Sequence, residues 1–307
     1  MRGLFWGTVR RGSRAGTGAA WGGRELPLEV ARAQTEQCGS SPFAGRALAC
    51  RRSPTPPHLS LRRNESVVYV EERLTNERAQ DHFFHWIQHV TLGPPLLHPD
   101  ESVVALPGTR GLTWPHGYEG RSLIRDNQEF TWPEAPALGG GKINLDRPFG
   151  RDGRGCVAVV LLDPRRQLGF VAALNWRLGL LLGYCFRRSD FPWVVIWEEN
   201  FARISPPWDG KTRARGLEFG STPMPIGRGE TFARGSQFDT PTFRRIPARS
   251  ELRAPYVVFL SQVSSRWRSI RDLQLQQDRI VVTEERGEQL ELQATGLKKL
   301  GMGSIDT

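Results

Sequence analysis

The chain has 307 residues, 38% hydrophobic and 24% charged, which suits a globular protein with one large β domain or two ordinary ones. Its net charge of +10 is not spread evenly: residues 1–63 hold 11 Arg, no Lys and 3 acidic residues, against 31 basic and 29 acidic residues beyond. A duplex-binding domain needs its basic groups on a folded face, so this distribution argues against a nucleic-acid partner.

Residues 1–60 are rich in Arg, Gly, Ser, Pro and Ala and poor in β-branched residues. Such a stretch buries too little apolar surface to offset the entropy of ordering it. It reads as a disordered leader or the eroded N-terminal part of the domain that occupies residues 61–307. Met1 to Trp6 is followed by Arg10, Arg11 and Arg14 with no apolar stretch, unlike a secretory signal. No apolar run reaches the roughly 18 residues that span a bilayer, so no membrane partner and a cytoplasmic location are expected. Cys38, Cys50, Cys156 and Cys185 form no CxxC pair, which speaks against a disulfide framework or a cysteine-rich zinc site.

After Asn64 the texture changes. Residues 66–74, 156–162, 168–175, 178–186, 192–199, 256–263 and 279–283 are predicted strands, rich in β-branched and aromatic residues and bounded by turn signals such as Asp163-Pro164 and Asp209-Gly210. Only Ile270–Gln277 has a modest helical period. Strands that follow strands without helices between them predict antiparallel pairing, hence an all-β fold, a large β-sandwich. Between Pro94 and Pro148 the apolar periodicity is weak and aromatics sit beside prolines, which predicts long ordered loops over the end of the scaffold.

Three constellations carry candidate chemistry. In His82-Phe83-Phe84-His85-Trp86-Ile87-Gln88-His89 a helix would align His82, His85 and His89 as zinc ligands, the basis of a metal-dependent hydrolase. The Phe, Trp and Ile content favours a strand, on which His82 points away from the other two. One catalytic or sugar-binding His, structural histidines and a metal site all remain open. Glu218 lies in an apolar, Gly-flanked segment, where desolvation would raise its pKa and make it a useful base. An ion pair with Arg213 or Arg215 is the plain alternative. In Trp193 to Asn200, Trp193 and Trp197 share a strand face, and seven of the ten Trp lie between Trp86 and Trp208. Such rings pack against the C–H face of a pyranose while Glu, Asn, Arg and His bind its hydroxyls; they also fill sandwich cores.

At these residues the sequence resembles the galactose mutarotase (aldose 1-epimerase) superfamily. A strand ends in Thr75-Asn76, an aromatic strand closes on His89, and a later strand carries Glu218 before a Pro-containing loop. The resemblance covers roughly residues 64–283 and implies a supersandwich with a sugar site on its concave face and no cofactor or metal. It implies Glu218 as general base and His89 as general acid in anomer interconversion, with Arg215, Trp197, Glu198, Asn76 and His116 contacting the sugar. The family's earlier His in a His-Gly-Gly context has no counterpart before Asn64, so an incomplete N-terminal part is expected. A non-catalytic carbohydrate-binding or interaction sandwich is the alternative from another class.

Overall fold

The computed structural model describes residues 57–223 and 226–305. Residues 1–56, which contain most of the expected leader, lie outside the described residues. In chain order the strands are β1 His58–Leu61, β2 Val67–Thr75, β3 His82–Phe84, β4 Ile87–Gln88, β5 Thr91–Leu92, β6 Ser102–Ala105, β7 Gly108–Thr113 and β8 Glu129–Thr131. They continue with β9 Glu134–Pro136, β10 Lys142–Asn144, β11 Arg154–Leu162, β12 Leu168–Asn175, β13 Leu180–Arg187, β14 Trp193–Asn200 and β15 Arg213–Gly220. After the short helix α1 Arg228–Arg234 come β16 Ser236–Gln237, β17 Thr240–Pro241, β18 Arg244–Ile246, β19 Glu251–Gln262, β20 Ile270–Gln276, β21 Arg279–Glu284, β22 Gln289–Gln293 and β23 Ser304–Ile305.

Two antiparallel sheets form the sandwich. One runs β1-β2-β19-β13-β12-β6; the other runs β10-β9-β8-β7-β11-β14-β15-β4, with β5 also on β15. The period of two decides what lies between them. On β19, Tyr256 faces the core between the sheets, while Val257 and Phe259 face a second core. That second core is closed by a four-stranded sheet, β22-β21-β20-β23, which supplies Leu273, Leu275, Ile280 and Val282. The six-stranded sheet is therefore covered on both faces, and every residue of β12 is buried. Its sequence LGFVAALN accordingly reads as a continuous apolar run rather than an alternation.

Three expectations need correction. Residues 270–277 contain strand β20, not a helix: the pairing with β21 shifts register between Ile270 and Asp272. That irregularity puts buried Ile270 and Leu273 three residues apart, which imitates a helical spacing. The 94–148 stretch is not all loop, since β6 to β10 lie in it and four of them build one side of the nine-stranded sheet. They are short and interrupted by turns, which hid their alternation. The paired domain also begins before Leu61, because His58–Leu61 pairs with Val68–Glu71 along the edge of the six-stranded sheet.

Candidate functional site

The inner face of β14 and β15 carries Val194, Ile196, Leu217 and Phe219 into the core between the sheets. The outer face carries Trp193, Val195, Trp197 and Glu199 from β14, and opposite them Gly220, Glu218, Gly216 and Ala214 from β15. One end of this outer face is roofed: Trp193 and Val195 pack with Ile226 and Phe238, and the Trp193 indole N–H donates to the Pro241 carbonyl at 3.2 Å. The other end carries the candidate site.

His89 reaches it through the pairing of a broken edge strand. Phe219 pairs with Gln88 and Gly216 with Thr91, so His89 falls opposite Glu218 in register. The Val90 N–H turns back to the Gln88 carbonyl at 3.0 Å, which interrupts the strand at His89. The flanks are anchored inward, with the Trp86 indole and the Gln88 amide both donating to Glu72, at 3.1 and 2.9 Å. His89 Nε2 then lies 3.1 Å from Glu218 Oε1, and His89 Nδ1 lies 3.0 Å from the Thr91 hydroxyl.

The electrostatics of this pair follow from burial. The Glu218 side chain is 8% exposed, and desolvation pushes its carboxyl up to about 8. Half-exposed His89 is held below the usual imidazole range by the same desolvation, partly offset by a hydrogen bond with its own backbone. Near neutrality the pair accordingly holds one proton, on Glu218 and shared toward His89 Nε2. The Gly216 position permits this arrangement. A Cβ there would meet Glu218 Oε1 at 2.6 Å, so the absent side chain is the space in which the carboxylate lies.

Beside the pair stands an aromatic and polar cluster. The rings of His89 and Trp197 are 5.9 Å apart, and those of Trp197 and Trp208 are 5.6 Å apart. The Tyr118 hydroxyl donates to Glu199 at 2.6 Å and accepts from the Trp197 indole at 2.9 Å and from Arg203 at 2.7 Å. Glu199 is fully buried and also accepts from the Ala202 and Arg203 backbone N–H groups and from Arg203 Nε. Burial raises its pKa, but these hydrogen bonds outweigh that and hold the carboxyl below the usual range. Its charge fixes the start of the 201–212 loop, and the Arg203 guanidinium lies 3.9 Å from the centre of the Trp208 ring.

The other expected site residues lie elsewhere. Arg215 and Glu198 point into the inter-sheet core, 0% and 1% exposed, paired at 2.5 Å. Glu198 also accepts from the Phe149 and Gly150 N–H groups, and Arg215 donates to the Leu145 and Arg147 carbonyls. They fasten the 145–150 segment to the sheet and have no surface for a ligand. Asn76 is likewise buried: its amide donates to the Gln80, Ile246 and Pro247 carbonyls and accepts from the Arg78 N–H. Exposed His116 has its ring 5.1 Å from that of Trp114. Of the expected set, the structure brings together His89, Glu218 and Trp197.

The triple-histidine arrangement does not form. His82 is buried on β3, His85 sits against Phe232 and His89 lies on the outer sheet face. Among the described residues no group of three or more His, Cys, Asp or Glu is placed to hold a metal ion. No helix of the described residues is long and apolar enough to cross a membrane. A polar cleft of about 450 Å³, lined by Glu119, Arg121, Arg151, Asp152 and Arg154, follows Tyr118 in the chain and includes neither member of the pair. Tyr118, Glu199, Arg203 and Trp208 were not anticipated as a cluster. Glu199 carried one signal, its shared strand face with Trp197.

Fold and site together define an antiparallel β-sandwich with a carboxyl–imidazole pair on an outer sheet face. Solved structures similar to the chain include a candidate aldose 1-epimerase from Klebsiella pneumoniae, 12% identical at a TM-score of 0.46 over 68% of this chain and 46% of that one. A galactose mutarotase-like protein from Clostridium acetobutylicum is 9% identical at 0.43, over 67% of this chain and 55% of that one. A galactose mutarotase related enzyme from Lactobacillus acidophilus is 10% identical at 0.40, over 68% and 61%. The chain thus spans about half the length of the solved structures it matches. No family model and no curated protein matches it.

Proposed function

We propose that the outer face of the nine-stranded sheet binds a pyranose sugar and that Glu218 and His89 interconvert its anomers. The observation that carries this reading is the contact of His89 Nε2 with a desolvated carboxyl, 3.1 Å away, beside the Trp197 ring. Anomer exchange requires a base at the anomeric hydroxyl and an acid at the ring oxygen, both tuned near working pH.

The single proton of the pair serves both halves of the reaction. With the proton on His89, the Glu218 carboxylate takes the proton of the anomeric hydroxyl while His89 protonates the ring oxygen. The bond from C1 to the ring oxygen breaks and leaves the open-chain aldehyde. Glu218 now carries a proton and His89 is neutral. The C1–C2 bond rotates, His89 removes the proton from the attacking hydroxyl, Glu218 returns one to the aldehyde oxygen, and the ring closes as the other anomer. The neutral pair favoured in the free protein is the form required for closure. The two protonation arrangements contain the same number of protons, so each passes to the other without solvent.

A non-catalytic sugar-binding sandwich is favoured by one fact: His89 covers Glu218, leaving little carboxyl surface for a hydroxyl. NMR exchange spectroscopy between the α and β anomers of glucose and galactose decides between the two. The catalytic reading expects exchange above the buffer rate with the wild-type chain and its loss with Glu218→Gln. Equal rates in both leave binding alone.

A further inference from the structure

Resting on the reading of this face as a sugar site, we infer that its ligand is a saccharide of at least two rings, the second lying on Trp208. The aromatic surface does not stop at Trp197. Trp208 is the next ring outward from the pair, 5.6 Å beyond Trp197 and inclined to it by 61°. A single pyranose engaged by Glu218 and His89 needs only Trp197 at its side.

Trp208 differs by its placement from the tryptophans that serve packing, which belong to or lie against an apolar cluster, Trp267 among them with its indole N–H also unbonded. Trp193 and Trp86 are buried, and their indole N–H groups donate within the chain, to Pro241 and Glu72. Trp208 is partly exposed on a loop, belongs to none of the three apolar clusters, and its indole N–H makes no hydrogen bond among the described residues. A large apolar ring with a free donor at its edge suits one face of a sugar ring and one of its hydroxyls.

The ring is also held where such a contact needs it. Buried Glu199 spends its hydrogen bonds on Tyr118, on two backbone N–H groups at the start of the loop and on Arg203. Arg203 in turn stacks on Trp208 at 3.9 Å and donates to Tyr118, whose hydroxyl holds the Trp197 indole. One buried carboxylate thereby sets both aromatic rings relative to each other. A loop tryptophan kept only for stability would not need that framework. The reducing-end ring belongs at the pair, because only it has an anomeric hydroxyl, and the chain extends from there toward the 201–212 loop.

Isothermal titration of the full chain tests this with glucose, galactose, maltose and lactose. The expected result is that at least one disaccharide binds about tenfold more tightly than its matching monosaccharide. Trp208→Ala removes that preference, and Trp208→Phe, which keeps a stacking ring, restores most of it. Thermal unfolding of each variant confirms that the chain is folded. Equal affinities for both ligand sizes in the wild-type chain overturn the inference, as does a preference that survives in folded Trp208→Ala. If the preference depends on Trp208 while Glu218→Gln leaves anomer exchange unaltered, the second-ring contact stands and the catalytic reading falls. If none of the four sugars binds, both fall.

Discussion

Strands β14 and β15 present a paired carboxylate on each side of the sheet, the inner partner on β15 and the outer one, His89, on the edge segment between β4 and β5. On the inner face Glu198 meets Arg215 at 2.5 Å, and two backbone N–H groups complete its shell. On the outer face Glu218 meets His89 at 3.1 Å, and desolvation raises its pKa to about 8. Both carboxylates are buried, so burial alone does not separate them. The difference lies in the donors supplied. A carboxylate given a guanidinium and two N–H groups acts as a clamp. One given a single imidazole keeps a proton that can move.

That contrast is open to four measurements. Glu218→Gln is expected to lower anomer exchange by about 10²–10⁴-fold, the usual range for a general acid–base group, without loss of stability in urea titration. Arg215→Met is expected to do the reverse and cost about 3–5 kcal/mol in the same titration, because it strands Glu198 in the core. Adding Glu198→Leu should recover most of that loss; failure to recover it would mean that the pair does more than neutralise its own charges. Gly216→Ala places a methyl where Glu218 Oε1 lies and is expected to slow exchange about tenfold, since small displacements of a reacting group are costly. Its stability should fall as well, because the methyl meets Glu218 Oε1 at 2.6 Å and Trp197 Cβ at 3.2 Å on a packed face; unchanged stability with normal exchange would contradict the fit described for Gly216.

The smallest effect is on the pH dependence of folding. Between its ordinary value and about 8, the folded state keeps a proton on Glu218 that the unfolded chain has released. Stability from this group is therefore complete at low pH and falls as pH rises through about 8. His89, held below its ordinary value of 6.5, acts oppositely beneath that pH, so the window from 6.5 to 8 isolates Glu218. Urea unfolding across that window should show a decline in wild type that Glu218→Gln flattens; an equal slope in both would assign the decline to other groups.

Much of the fold was legible because runs of β-branched and aromatic residues bounded by turn signals mark the long strands. Strands β12 and β14 coincide with predicted runs to within a residue. The failures share a physical cause: β20 is irregular and β6 to β10 are too short to show a period. At the site, His89, Glu218 and Trp197 meet on one sheet face, whereas Arg215, Glu198 and Asn76 are buried away from them. Parity alone separates two of these. Arg215 is three residues from Glu218, and Glu198 is next to Trp197, so on a regular strand neither shares a face with its supposed companion. Tyr118 and Arg203 arrive from loops at Glu199, and Trp208 at Arg203, contacts that only the folded chain makes.

The four hydrogen bonds of Glu199 also bear on timing. The Phe201 N–H closes on the Thr212 carbonyl at 2.8 Å, and the loop between them is held by Glu199 at its first turn. Its conformational entropy is surrendered when the chain folds rather than when a ligand arrives. An incoming molecule therefore meets a finished surface, and its capture should follow simple second-order kinetics, limited by the frequency of encounter and not by a slow rearrangement of this loop.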